Sequence, residues 1–101
     1  MKVYDCEVTF MVDAYADGLQ RKAVLAVVAD GEEKGEPYSD VTVNIPQYPL
    51  EEDECFLCAD CPMLIEAMEH NGYLEIIREV NVNYGTYKVG RFTQKFVEEY
   101  A

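Results

Sequence analysis

Three cysteines, Cys55, Cys58 and Cys61, recur at every third position and form the motif C-x2-C-x2-C. A C-x2-C pair can present two thiolates to one zinc ion, and iron–sulfur clusters use similar local spacings. A tetrahedral site needs a fourth ligand, for which Cys6 and His70 are the distant candidates. Free cysteine also packs in cores as a small apolar side chain. We therefore expect no metal and no cofactor, and we keep a small zinc-binding module as the alternative.

The remaining polar residues do not form a recognisable catalytic pattern. His70, the one histidine, has no nucleophile near it in the sequence other than the cysteines. Gly31 and Gly35 lie among acidic residues, which would repel a phosphate rather than cradle it. The acidic run at 51–54 lacks the alternating spacing and the glycine of a calcium-binding loop. We therefore predict that the protein is not an enzyme.

Acidic residues are concentrated in the middle of the chain. Its 101 residues include 20 acidic and 8 basic ones, which gives a formal net charge of −12. Nearly all of that excess lies at 30–69, where Lys34 is the one basic residue. Binding to nucleic acid phosphates or to anionic lipids requires basic surfaces. The charge therefore argues against direct binding to nucleic acid or to a membrane.

Most of the predicted elements are strands, because apolar and polar residues alternate with a period of two. Five such segments are 4–12, 19–29, 41–45, 76–84 and 86–92, and 55–58 is a shorter one. In the first of them, one face is predicted to hold Tyr4, Cys6, Val8, Phe10 and Val12. The turn signals Asp17-Gly18 and 83–85 predict two hairpins, and 30–37 predicts an exposed loop.

One helix is predicted at 62–71. Leu64, Ile65 and Met68 have the spacing of one apolar helical face. Asp60 is the predicted N-cap, and Gly72 has the position of a left-handed residue after the helix. Residues 93–100 fit either a helix or a strand.

These elements predict a single α+β domain over residues 1–101, a small antiparallel sheet of about five strands with one or two helices on one face. The first residues lack the apolar core of a signal peptide, and no apolar run approaches the roughly 20 residues that span a bilayer. We therefore expect a cytoplasmic protein with reduced cysteines.

Residues 36–54, with the sequence EPYSDVTVNIPQYPLEEDE, resemble a family of short proteins of unknown function. That family occurs in gut Firmicutes and on their plasmids and conjugative elements. The similarity extends more loosely to residue 92, through NGYL at 71–74 and the turn at Gly85. The three clustered cysteines are not part of the family pattern, and REVN at 78–81 replaces its usual Thr-Gly-Arg. The resemblance implies a mobile genetic element as the setting, and it carries no catalytic residues.

Mobile elements encounter host nucleases, which hold DNA in basic grooves. We therefore predict a DNA-mimicking surface of the anti-CRISPR or anti-restriction type, whose partner is a protein with a basic groove, for example a Cas9-type or restriction nuclease. The carboxylates assigned to this surface are Asp30, Glu32, Glu33, Glu36, Asp40, Glu51, Glu52, Asp53, Glu54 and Asp60. Tyr38 and Tyr48 are assigned as further contact residues, since tyrosine is common at interfaces. The alternatives are a solvated acidic surface with packed tyrosines, or a purely structural interaction module.

Overall fold

The chain folds into eight strands and two helices over the residues that the computed structural model describes, which are 1–16, 18–19, 21–83 and 85–101. The strands are β1 (Lys2–Val3), β2 (Cys6–Ala14), β3 (Lys22–Val28), β4 (Pro37–Asp40), β5 (Thr42–Val43), β6 (Glu54–Leu57), β7 (Leu74–Val82) and β8 (Gly85–Phe92). The helices are α1 (Pro62–His70) and α2 (Gln94–Tyr100). The predicted α+β class is confirmed.

The strands are divided between two antiparallel sheets of four strands each, and the prediction of one sheet with about five strands is wrong. The first sheet has the order β1-β2-β3-β4, and the second has the order β5-β6-β8-β7. Val41 separates the two sheets and is fully buried. Its N–H donates to the Val24 carbonyl in the first sheet, at 2.9 Å, and its carbonyl accepts from the Cys58 N–H, also at 2.9 Å. The segment predicted as one strand at 41–45 therefore turns from one sheet to the next.

The first predicted hairpin is confirmed, because β2 pairs with β3 in antiparallel register from Val8↔Val28 to Ala14↔Lys22. Val8 and Phe10 are buried on the predicted face. Asp17, the first residue of the predicted turn, lies outside the described residues. The prediction for Tyr4 is wrong, because Tyr4 lies in the turn between β1 and β2 and its side chain is 74% exposed.

The second predicted hairpin is also confirmed. β7 and β8 pair from Leu74↔Phe92 to Val82↔Gly85, with an irregularity between Ile76 and Arg78. Within its predicted turn at 83–85, Tyr84 lies outside the described residues. Because β7 is the last strand of the second sheet, this irregularity lies at a sheet edge, where bulges commonly interrupt pairing.

Helix α1 begins at Pro62 as predicted and buries the predicted stripe of Leu64, Ile65 and Met68. Its N-cap residue is Cys61, which makes no side-chain capping bond, so the assignment of Asp60 as the cap is wrong. Gly72 follows the helix with a φ of 78°, in the left-handed region that glycine favours. Residues 94–100 form a helix, and the Thr93 hydroxyl accepts from the Phe96 N–H at 3.4 Å.

The main core combines buried side chains from both sheets and both helices, among them Phe10, Leu57, Leu64 and Phe96. A smaller core lies on the opposite face of the second sheet, where Ile45 covers Phe56 and Val89. The segment at 44–50 therefore packs on this face of the second sheet. Among the described residues, no helix is both long and apolar enough to cross a membrane.

Candidate functional site

Nine of the ten carboxylates assigned to the partner surface belong to exposed residues, and Glu54 does not. The nine are Asp30, Glu32, Glu33, Glu36, Asp40, Glu51, Glu52, Asp53 and Asp60. The Glu54 side chain is only 2% exposed and forms an ion pair with Arg78 at 2.7 Å. Glu54 is therefore removed from the predicted partner surface, because its carboxylate pairs with Arg78 inside the protein.

The exposed carboxylates form two main groups rather than one continuous face. The 30–36 acidic loop connects the end of β3 to β4, and the Val28 N–H donates to the Glu36 carbonyl at 2.9 Å. The 51–53 acidic turn lies by the start of β3, where it shares a groove with Arg21 and Lys22. Since β3 has seven residues, the two groups are separated by about 20 Å along the strand.

The 51–53 acidic turn has a constrained backbone. The Glu54 N–H donates to the Glu51 carbonyl at 3.2 Å, and the Glu51 N–H donates to the Glu54 carboxylate at 2.9 Å. Asp53 has a φ of 68°, a left-handed conformation that aspartate tolerates better than most residues. The buried carboxylate of Glu54 therefore fixes the turn that presents its exposed acidic neighbours.

Two further exposed carboxylates lie apart from these groups. Asp40 ends β4 and faces Leu25 in the middle of β3. Asp60 precedes α1 and lies beside Cys58. Burial raises the pKa of that thiol, the backbone of Asp60 lowers it through a hydrogen bond, and the Asp60 carboxylate raises it. The ten predicted residues are therefore brought to several places on the protein.

The two assigned tyrosines have different environments. The Tyr48 hydroxyl donates to the Asn81 carbonyl at 3.1 Å, and its ring lies edge-on against Phe56 with centroids 6.0 Å apart. Tyr48 therefore packs on the second core, as in the alternative reading. Tyr38 is half-buried and lines a groove beside the 30–36 acidic loop. Tyr38 also packs against the main core, so the packing alternative fits both tyrosines, and the contact role of Tyr38 stays a prediction.

The four cysteines are all at least partly buried, and three of them belong to the main core or pack against it. Cys55 is buried and its thiol donates to the Gly90 carbonyl at 3.6 Å, while burial raises its pKa to about 12. Burial also raises the pKa of Cys58. Cys6 and Cys61 are half-buried and pack against the main core. Among the described residues, no three His, Cys, Asp or Glu side chains are grouped as a metal site requires.

A small cavity of about 170 Å³ lies between the start of α1 and the β7–β8 hairpin. Glu79, Thr86 and Lys88 are the polar residues of its lining, and the other residues, which include Cys58, are apolar. Cavities of this volume accommodate molecules of about the size of benzene. Glu79 and Lys88 occupy opposite positions in the register of the two strands.

Tyr4 and Asp5 lie beside the 30–36 acidic loop, although they are not among the predicted site residues. They form the turn between β1 and β2, and they line the groove that also contains Asp30, Glu32 and Glu33. The alternating pattern of the sequence places Tyr4 in the first predicted strand, so it gives no indication of this turn. The available signal was Asp5, whose residue type is common in tight turns.

Comparison with protein-family models, with curated proteins and with solved structures found no match. The resemblance to the mobile-element family therefore stays a prediction.

Proposed function

We propose that this chain is a non-enzymatic, cytoplasmic binding protein of a mobile genetic element, which occupies the DNA-binding groove of a host nuclease. The observation that carries the proposal is the unpaired state of its exposed carboxylates. Among the described residues, side-chain carboxylates in ion pairs are those of Glu7 and Glu54, neither of which belongs to the nine exposed carboxylates. None of the nine is held in an ion pair within the described residues, so these carboxylates can pair with arginine and lysine side chains of a partner.

The separation of the two acidic groups supports a groove that normally holds a duplex. Each strand of DNA carries one phosphate per 3.4 Å, so about 20 Å corresponds to roughly six base pairs. The 30–36 acidic loop and the 51–53 acidic turn would then occupy the positions of two groups of DNA phosphates in the nuclease groove. The negative field should also accelerate association with a basic partner by about 10- to 1000-fold at low salt.

The direct test is competition with DNA. Binding of a labelled duplex to a purified Cas9-type nuclease with its guide, and to a panel of restriction nucleases, is measured by fluorescence polarisation with increasing amounts of this protein. We expect displacement of DNA from at least one nuclease, weakened by added salt. Failure to displace DNA from any of them contradicts the proposal and favours a structural interaction module.

Variants that each remove two negative charges test which acidic group contacts the nuclease. Glu32→Gln/Glu33→Gln and Glu51→Gln/Glu52→Gln each remove two exposed charges from one acidic group. Glu75→Gln/Glu79→Gln removes two exposed charges from β7 and serves as the control. We expect either variant of an acidic group to inhibit less well than the control. Equal inhibition by all three would show that net charge, rather than a mimicking surface, causes the effect.

A further inference from the structure

A groove with an apolar floor lies between the β1–β2 turn and the 30–36 acidic loop. It is a shallow depression of about 580 Å³ that is open to solvent. Val3 and Val28, which line it, are almost fully buried, whereas Tyr38 is half-buried and Tyr4 is largely exposed. Tyr4 therefore offers the larger aromatic surface to a ligand, because Tyr38 also packs against the main core.

Tyr4 is a large aromatic residue in the β1–β2 turn, and it is mostly exposed. Its side chain is 74% exposed, and it belongs to neither of the two cores. Its φ of 53° is a left-handed conformation that glycine adopts without strain and that a bulky residue rarely adopts. A ring displayed at such a position contributes little to folding.

The charge of the groove indicates what it can bind. Four carboxylates line it, those of Asp5, Asp30, Glu32 and Glu33, and none of its described lining residues is basic. None of the four is in an ion pair within the described part of the chain. These carboxylates would repel an anionic ligand, and a purely apolar ligand would desolvate them without pairing with them. The ligand that complements the groove is therefore a cation on an apolar stem.

We propose that this groove receives an arginine side chain from the basic partner, stacked on Tyr4 and held by the surrounding carboxylates. The inference rests on the proposed function and adds to it the anchoring residue of the partner. Arginine fits better than lysine because its planar guanidinium stacks on aromatic rings and pairs with carboxylates through two parallel hydrogen bonds. The three-carbon stem can cover the apolar floor.

The test is a titration of the isotope-labelled protein with an arginine-rich peptide, followed by NMR backbone shifts, with a lysine-rich peptide of equal length and charge as the comparison. We expect the largest shifts at Tyr4, Asp5, 31–33 and Tyr38, and tighter binding of the arginine peptide. Largest shifts at the 51–53 acidic turn, shifts spread evenly over the acidic residues, or equal affinity for both peptides would overturn the inference.

Two variants separate recognition from folding. Tyr4→Gly should weaken arginine-peptide binding about fivefold without lowering the melting temperature, because glycine tolerates the turn. Tyr4→Phe keeps the ring and should bind within about twofold of the natural protein. Met11→Ala removes another exposed apolar side chain, on β2, and should not change binding. A Tyr4→Gly protein that binds normally would contradict the inference.

The two proposals fail in distinguishable ways. If a nuclease is inhibited but the peptide shifts map to the 51–53 acidic turn, the arginine groove is wrong while the proposed function stands. If the peptide occupies the groove but no nuclease releases DNA, the groove is supported as a site and the nuclease is the wrong partner.

Discussion

Arg78 donates two hydrogen bonds to the carboxylate of Glu54, with N–O distances of 2.7 and 2.9 Å. The Glu54 side chain is 2% exposed and that of Arg78 is 40% exposed, so the pair spans the boundary between interior and solvent. Arg91 lies 4.0 Å from the same carboxylate, and the Glu51 N–H donates to it. One buried carboxylate therefore connects β6, β7 and β8 to the 51–53 acidic turn.

Glu54→Gln should lower the free energy of unfolding by about 2 kcal/mol, because it weakens charge-assisted hydrogen bonds at a buried position. The measurement is urea denaturation. Glu52→Gln, which changes an exposed neighbour in the same way, is the matched control and should stay within about 0.5 kcal/mol of the natural protein. A comparable loss in both variants would mean that the buried pair is not the cause.

The same pair makes stability depend on pH. Hydrogen bonding from Arg78 lowers the pKa of Glu54 below its ordinary value of 4.5, and the Glu51 N–H acts in the same direction, while burial opposes both. The folded protein then binds this proton less tightly than the unfolded chain. The resulting stability is present above pH 4.5 and is lost as the pH falls through the lowered pKa.

Urea midpoints measured from neutral pH down to about pH 3 test this dependence. The natural protein should lose stability on acidification more steeply than Glu54→Gln, in which the titrating group is absent. Parallel profiles for the two proteins would assign the acid sensitivity to other carboxylates.

Local patterns in the sequence were sufficient to predict the hairpins and α1. The alternation of Val8 and Phe10 with polar residues determines which face of β2 is buried, and the spacing of α1 determines its apolar stripe. The division into two sheets depends instead on Val41, whose partners Val24 and Cys58 are both 17 residues away in the sequence. No periodic signal within 41–45 specifies partners at that separation.

The sequence predicted the charge of the candidate site, but it did not predict where the fold places the charged residues. Charge counting located the acidic segment, yet Glu54 and its three preceding acidic residues are alike in sequence. The burial of Glu54 follows from pairing with Arg78, which is 24 residues away. The separation of the 30–36 acidic loop from the 51–53 acidic turn likewise follows from the length of β3, which lies outside the acidic segment.

Gly90 lies where two buried leucines meet the backbone of β7. A Cβ at this position would lie 2.9 Å from Leu57 Cδ1, 3.2 Å from Leu74 Cδ1 and 3.3 Å from the Glu75 carbonyl oxygen. Gly90→Ala should therefore destabilise the protein by about 1–3 kcal/mol through overpacking. Thermal unfolding of Gly90→Ala, Leu57→Val and the double variant tests the cause. The double variant should be more stable than the sum of the single effects predicts, and strict additivity would contradict the clash with Leu57.

The cysteines should behave as packed side chains rather than as metal ligands. We expect elemental analysis of the purified protein to find no stoichiometric zinc or iron, and Cys55→Ser to leave the metal content unchanged. Cys55→Ser should still lower stability by about 1–2 kcal/mol, because it replaces a buried thiol with a more polar group. One metal ion per chain that disappears in Cys55→Ser would instead establish the zinc or iron–sulfur alternative.

Thiol alkylation tests the same assignment by a separate route. Burial raises the pKa of Cys55 to about 12 and also raises that of Cys58, so both should resist iodoacetamide at neutral pH while the protein is folded. Cys6 and Cys61 are less buried and should be modified first. Mass spectrometry of peptides at successive times gives the order, and urea-unfolded protein is the control, in which all four should react at similar rates. Early modification of Cys55 in the folded protein would contradict its burial against Gly90.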